Sequence, residues 1–198
     1  MKHRKPTLDR RKVVADILRN RGDALVVAGL GAPCWDVAAA SDHPLNFYLW
    51  GGMGGAAMIG LGLALAQPGR RVLVLTGDGE LLMGLGSLAT IGVQQPRNLA
   101  VIVVDNEHYG ETGMQLTHTR LGVDLAGIAK ASGFRAAGTV CGGAQLRTWL
   151  PRLYRQPGPV FAAIKVTTRP APLVLPLREG PALKNRFREA LLGGKARL

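Results

Sequence analysis

Two short apolar runs, each ending in a polar signal, constrain the fold of this chain most tightly. Val72 to Thr76 leads into Gly77-Asp78-Gly79, and Leu99 to Val104 leads into Asp105-Asn106. Runs of this length without polar alternation read as strands buried on both faces, the pattern of a parallel sheet. Between Gly79 and Asp105 lie 25 residues: a stretch from Glu80 to Gly92 with helical apolar spacing, then a loop and the second strand. Both signals therefore fall at carboxyl ends of strands, where open α/β sheets bind ligands. The expected fold is α/β, a mostly parallel sheet with helices on both faces.

The residue types at the two signals suggest their chemistry. Gly77 and Gly79 allow close approach of backbone to a ligand, and a helix starting near Glu80 offers free N–H groups to a diphosphate. Asp78 and Asn106 are hard oxygen donors, one charged and one neutral, the kind Mg²⁺ takes when it also bridges phosphate oxygens. A loop carbonyl beyond Asn106, that of His108, completes the protein's share of an octahedron. The loop from Glu107 to Thr119 is rich in polar side chains and glycine, as suits a substrate cap at a strand end. His108, Glu111, Gln115 and His118 are its candidate proton carriers or anchors, with Glu111 and His118 the two to test.

The net charge of +12 invites a nucleic-acid reading until it is located. Residues 1–21 hold eight Lys/Arg against two acids, residues 165–198 hold the same, and nine of each sign remain between them. Basic ends on a neutral body serve equally a nucleic acid, an acidic membrane surface, an acidic partner subunit or solvent. Cys34 and Cys141 are isolated and lack metal-ligand spacing, which points to a reduced, cytoplasmic setting. The N-terminal Met1-Lys-His-Arg-Lys-Pro6 is followed by no apolar segment and is not a secretory signal.

Taken in order, Thr7 is placed to cap a helix from Arg10 to Arg21, with Val13, Val14, Ile17 and Leu18 as its apolar stripe. Ala24 to Leu30 reads as a buried strand. From Pro44 to Gly69 no residue is charged, long enough to raise a membrane span. Its glycines at 51, 52, 54, 55, 60 and 62 favour instead a Gly- and Ala-rich helix packed tightly in a core. Asp124 is placed to cap a helix to Ser132. Phe134–Val140 and Pro159–Val166 read as strands, and Ala144–Gln156 as a helix. Pro170, Pro172 and Pro176 make residues 167–180 an extended arm before a last helix opened by Gly180-Pro181 and closed by Gly193.

Gly77-Asp78-Gly79, the spacer and Asp105-Asn106 resemble the diphosphate-binding half of thiamine diphosphate enzymes. Their signature is Gly-Asp-Gly, a spacer in the mid-twenties and Asn-Asn. The first Asn is Asp105 here, and the second, the family's metal ligand, is Asn106. Trp50-Gly51-Gly52-Met53-Gly54 is similar to the segment whose first Gly offers its carbonyl to the cofactor's 4′-amino group, and Met53 would be the prop beneath the bent cofactor. The resemblance implies Mg²⁺ on Asp78, Asn106 and His108. It also implies thiamine diphosphate contacts from Gly51, Gly52, Met53, Gly77, Asp78, Gly79, Glu80, Leu81, Asn106, Tyr109 and Gly110. Glu80 stands where Ser or Ala is frequent, and its carboxylate is expected to turn outward while its backbone N–H makes the contact.

The resemblance covers residues 22–166, the cofactor-binding domain, flanked by the basic N-terminal helix of 1–21 and the basic C-terminal arm and helix of 167–198. It leaves no room for the second domain, which in these enzymes holds the aminopyrimidine and supplies an activating glutamate. The expected partner is a pyrimidine-binding α subunit, in a hetero-oligomer built on dimers; neither nucleic acid nor membrane is expected. Tyr109 to Gln115 points to sulfopyruvate decarboxylase β subunits and the matching half of phosphonopyruvate decarboxylases, which convert a small 2-oxoacid to an aldehyde. Cys34-Trp35-Asp36 stands in place of their Ser-Arg-Glu. The loss of that arginine, with Asp36 facing the substrate, predicts a preference against dianionic acids. An acetolactate synthase-like carboligase is the alternative within enzymes. A noncatalytic nucleic-acid or membrane-surface module is the alternative outside them.

Overall fold

The computed structural model describes residues 6–197. Its elements are α1 (Arg10–Leu18), β1 (Leu25–Ala28), α2 (Ala32–Ala40), β2 (Asn46–Tyr48), α3 (Ala56–Ala66), β3 (Val72–Gly77), α4 (Asp78–Met83) and α5 (Ser87–Gln94). There follow β4 (Leu99–Asp105), β5 (His108–Tyr109), β6 (Gln115–Leu116), α6 (Leu125–Ala131), β7 (Ala136–Val140), α7 (Gly143–Arg155), β8 (Val160–Lys165) and α8 (Gly180–Leu192). Six strands form one all-parallel sheet in the order β2-β1-β3-β4-β8-β7, and β5 and β6 form a separate antiparallel hairpin.

Alternate residues of each central strand feed opposite cores, which is why these strands read as unbroken apolar runs. Val26, Ala28, Leu73, Leu75, Ala100 and Ile102 pack with α1, α2 and α7. Leu25, Val27, Val72, Val74, Val101 and Val103 pack with α3 to α6 and with Phe187 of α8. The uncharged stretch from Pro44 becomes β2, a Gly-rich turn and the helix α3. A Cβ on Gly60 would stand 2.2 Å from Val74 Cγ2, so α3 lies flush on β3 only because that position is glycine. Among the described residues no helix is long and apolar enough to cross a membrane.

Several local expectations give way. Asp9, not Thr7, caps α1, accepting from Lys12 N at 2.9 Å, and the helix ends at Leu18 rather than Arg21. The periodic stretch from Glu80 to Gly92 is two helices, because the chain breaks at Gly84 and Gly86. Asp124 sits at the N-cap of α6 but makes no side-chain cap bond. Strand β2 was hidden by its context, three residues inside an uncharged run. Residues 1–5 of the basic N-terminal segment, and residue 198, lie outside the described residues.

Candidate active site

Strand order reverses between β1 and β3: the chain leaves β1 for β2 at one edge, then returns to β3 and β4 on the other side. Loops at the carboxyl ends of β1 and β3 diverge there, opening a crevice. A cavity of about 510 Å³ occupies it. Leu30 and Gly31 after β1, Ala32, Pro33 and Trp35 of α2, Gly77-Asp78-Gly79, Asn106 and Met53 line it. So do His108 to Thr112 and, from beyond β8, Thr168 to Ala171.

The sheet register sets the two signals side by side. Gly77 is paired with Val104, so Asp78 and Asp105-Asn106 emerge from neighbouring strands at one level. Asp78 is only 2% exposed, and its Oδ2 accepts from the hydroxyls of Thr117 at 2.5 Å and Thr119 at 3.2 Å. The Thr119 hydroxyl also bonds Asp105 Oδ1 at 2.9 Å, linking the two carboxyl groups. Burial, and next the neighbouring Asp105 charge, push the Asp78 carboxyl up to about 6. Asp105 in turn accepts from Lys165 Nζ at 2.7 Å, and that ammonium also reaches Glu107 Oε1 at 2.9 Å. Against the cost of burial, these carboxylates hold the Lys165 ammonium above its ordinary value. Asn106 Oδ1 accepts from His108 N at 2.9 Å, a local turn that fixes the amide at the strand end.

This donor set fits a hard cation. Among the described residues no group of three His, Cys, Asp or Glu is poised for a metal. Asp78 offers a carboxylate and Asn106 an amide oxygen at neighbouring strand ends, hard donors of the kind Mg²⁺ accepts alongside phosphate oxygens. A buried carboxyl held near another negative charge is also the group that a cation would relieve.

Glu80 corrects the expectation placed on it. Its side chain turns into the protein, 4% exposed, where Oε1 accepts from Gly54 N at 3.0 Å and Ala56 N at 3.1 Å, and Oε2 accepts from the Thr76 hydroxyl. The carboxylate is thereby spent on unpaired backbone donors at the start of α3, and it ties the Gly51 to Gly55 turn to α4. Gly84 reinforces that joint, since a Cβ there would fall 2.1 Å from the Gly54 carbonyl oxygen. The turn carries Gly51, Gly52 and Met53; Met53 is 39% exposed and borders the cavity. Leu81 is fully in the core. The Tyr109 ring lies on Gly79, where a Cβ would meet it at 2.5 Å.

Asp36 does not face a substrate. It is fully buried at the far side of α2, held by Arg10 Nε at 2.5 Å and Arg11 Nε at 3.1 Å. Helix periodicity explains the difference, because adjacent Trp35 and Asp36 lie on different sides of α2 and only Trp35 reaches the cavity. Glu111 borders the cavity beside Gly31, whereas His118 is exposed and Gln115 pairs with Thr112 in the hairpin; neither is part of the wall. Five contributors went unseen in the sequence: Thr117 and Thr119 beneath Asp78, Lys165 beside Asp105, and Arg10 and Arg169 on the wall. Sheet register brings in Lys165, the chain's return after the β5–β6 hairpin the two threonines, helix α1 Arg10 and the C-terminal arm Arg169, and none of these leaves a local motif.

Comparison with known proteins agrees with the geometry. Residues 31–164 match the thiamine pyrophosphate enzyme C-terminal TPP-binding domain. The chain is 43% identical over 127 residues to sulfopyruvate decarboxylase subunit beta of Methanothermobacter thermautotrophicus, covering 64% of this chain and 68% of that one. It is 38% identical over 170 residues to phosphonopyruvate decarboxylase of Streptomyces hygroscopicus, covering 84% of this chain but 41% of that protein. In fold it superposes on the thiamine diphosphate-dependent 4-hydroxybenzoylformate decarboxylase of Rhodococcus jostii RHA1 with a TM-score of 0.70 at 18% identity, covering 85% of this chain and 34% of that one. The chain thus spans about two thirds of the archaeal subunit and less than half of each of the other two. With the parallel sheet, the paired strand-end signals and the matched stretch in agreement, the chain belongs to the thiamine pyrophosphate enzyme family, as its C-terminal TPP-binding domain.

Proposed function

We propose that this chain is the diphosphate- and Mg²⁺-binding subunit of a two-subunit, thiamine diphosphate-dependent decarboxylase that turns a small 2-oxoacid into an aldehyde. The observation that carries the reading is the pairing of Asp78 and Asn106 at adjacent strand ends over a buried base of threonines. In this reading Asp78, Asn106 and the His108 carbonyl hold Mg²⁺, and backbone at Gly77, Gly79, Glu80 and Leu81 receives the diphosphate. Gly51, Gly52 and Met53 support the cofactor from the opposite wall, with Tyr109 and Gly110 closing the near side. When bound, the cofactor supplies the electron sink that makes loss of CO₂ feasible. The chain's own work is to anchor and orient it, to keep the anchor dry and to wall the substrate. Glu111, on the cavity rim, is this chain's first candidate for moving a proton, and His118, exposed on the same loop, is the second. The glutamate that activates the aminopyrimidine comes from an α subunit, in keeping with the subunit naming of the archaeal relative. The enzyme works in the cytoplasm, a setting that suits the two unpaired thiols of Cys34 and Cys141.

The test is a panel of 2-oxoacids given to this chain alone, to a pyrimidine-binding partner alone and to the two together, following CO₂ and aldehyde. Only the pair should turn over. Turnover by homogeneous single-chain protein would refute the split site, and joining of two acids without aldehyde would favour the carboligase.

A further inference from the structure

Two arginines are among the residues that line the cavity, Arg10 and Arg169. Both lie outside the stretch of residues 31–164 that carries the family match. Arg10 comes from α1 and binds Asp36 through Nε at 2.5 Å and Nη2 at 3.4 Å. Since Arg11 also binds Asp36, this buried cluster holds two cations against one anion. Arg169 is exposed, and among the described residues it has no hydrogen-bond or ion-pair partner.

The arm that carries Arg169 is fastened at both ends. At its start Thr167 N donates to the Leu8 carbonyl at 2.9 Å, next to a parallel bridge between Leu8 and Val166. Thr168 to Ala171 then cross the cavity wall. At its end Trp50 Nε1 donates to the Leu177 carbonyl at 3.2 Å, and the Arg178 guanidinium stacks on the Trp50 ring at 5.7 Å. Beyond it, α8 is clamped to the sheet by Arg186 on both oxygens of Asp42, at 2.8 and 3.1 Å, and by Phe187 edge-on to Phe47. A chain segment pinned at both ends loses less entropy when it holds a side chain over a ligand.

The acids of the wall leave Arg169 unopposed among the described residues, while Arg10 carries its bonds to Asp36. Asp78 is taken by the metal in the reading above, and Glu80 is engaged by Gly54 and Ala56, so Glu111 alone remains. Binding a charge that disappears during the reaction favours the ground state, so a cation on the departing carboxylate slows its loss. A cation on an anionic group that keeps its charge carries no such cost. Guanidinium forks match sulfonate, phosphonate and carboxylate oxygens in bidentate geometry.

We propose that Arg169, together with Arg10, forms an anion subsite for the second anionic group of a 2-oxoacid, making Arg169 a specificity-determining residue. The inference rests on the 2-oxoacid reading and assigns a residue of the C-terminal arm to the acid's second charge. It reverses the expectation drawn from Cys34-Trp35-Asp36: the lost arginine of the loop after β1 is replaced in kind by one from the arm.

The test uses the two-subunit complex loaded with Mg²⁺ and thiamine diphosphate, titrated calorimetrically with 3-sulfopropionate and with propionate, neither of which has a keto carbon to react. The wild type should prefer 3-sulfopropionate. Arg169→Gln should lose at least tenfold of that preference and Arg169→Lys should recover part of it, with cofactor affinity within twofold of wild type. The proposal is overturned if the wild type shows no preference, or if Arg169→Gln keeps it. It is also overturned if Arg169→Gln loses tenfold in cofactor affinity with the preference intact, which would give the arginine to the diphosphate. Failure of the decarboxylase reading shows separately, as a wild-type complex that releases no CO₂ from any 2-oxoacid.

Discussion

Asp78→Asn should make the cofactor-free chain more stable, not less. Burial and the Asp105 charge raise the folded-state carboxyl to about 6 from its ordinary 3.8. A raised acid contributes stability that is complete below the unfolded value and lost as pH rises through the folded one. At about 1.4 kcal/mol per unit, ionising Asp78 at pH 8 costs the folded chain up to about 3 kcal/mol. The amide substitution removes that charge and keeps an oxygen for the Thr117 and Thr119 hydroxyls. The expected rise in Tm is about 2–4 °C per kcal/mol for a chain of this size. Circular dichroism melts in chelator should therefore place Asp78→Asn above wild type at pH 8, with the gap closing as pH falls below 4. Adding Mg²⁺ and thiamine diphosphate with the partner should reverse the order, because only the wild type gains from ligand binding. Equal melting at pH 8, or a gap that does not depend on pH, would refute the reasoning.

Two further outcomes follow from the same packing. Gly84→Ala places a Cβ 2.1 Å from a backbone oxygen that cannot rotate away, so it should push the Met53 turn off α4 and cost about 1–3 kcal/mol, read by denaturant melts together with cofactor affinity. Cys34 is buried, its Sγ 3.0 Å from the Gly29 carbonyl, with its thiol pushed up to about 12; one thiol, Cys141, should therefore react with a disulfide reagent in the native chain, and a second fast-reacting thiol would contradict the burial.

Much of this was legible before any coordinates. The runs at Val72 and Leu99 and the signals at their ends announce a parallel sheet with a ligand edge, because buried parallel strands have no polar alternation to disguise them. Gly77, Asp78 and Asn106 were readable as a set because their spacing equals one strand–helix–strand unit. What stayed hidden depends on partners distant in sequence. Glu80 is expected to turn outward because a carboxylate pointing into the site would repel a diphosphate; the N–H groups of Gly54 and Ala56, more than twenty residues earlier, turn it inward instead. Asp36 was read with its neighbour Trp35, although one step along a helix turns a side chain by about 100°. Arg169 sits in a proline-rich arm without periodicity, and the anchoring of Thr167 on Leu8 and of Leu177 on Trp50 brings it to the cavity.

The central claim is that this chain anchors Mg²⁺ and thiamine diphosphate through Asp78 and Asn106. Calorimetric titration of the cofactor, with Mg²⁺, into the complex of this chain with its partner measures that directly. Asp78→Ala and Asn106→Ala should each abolish metal-dependent binding while the complex still assembles. Unchanged affinity in either variant would contradict the account.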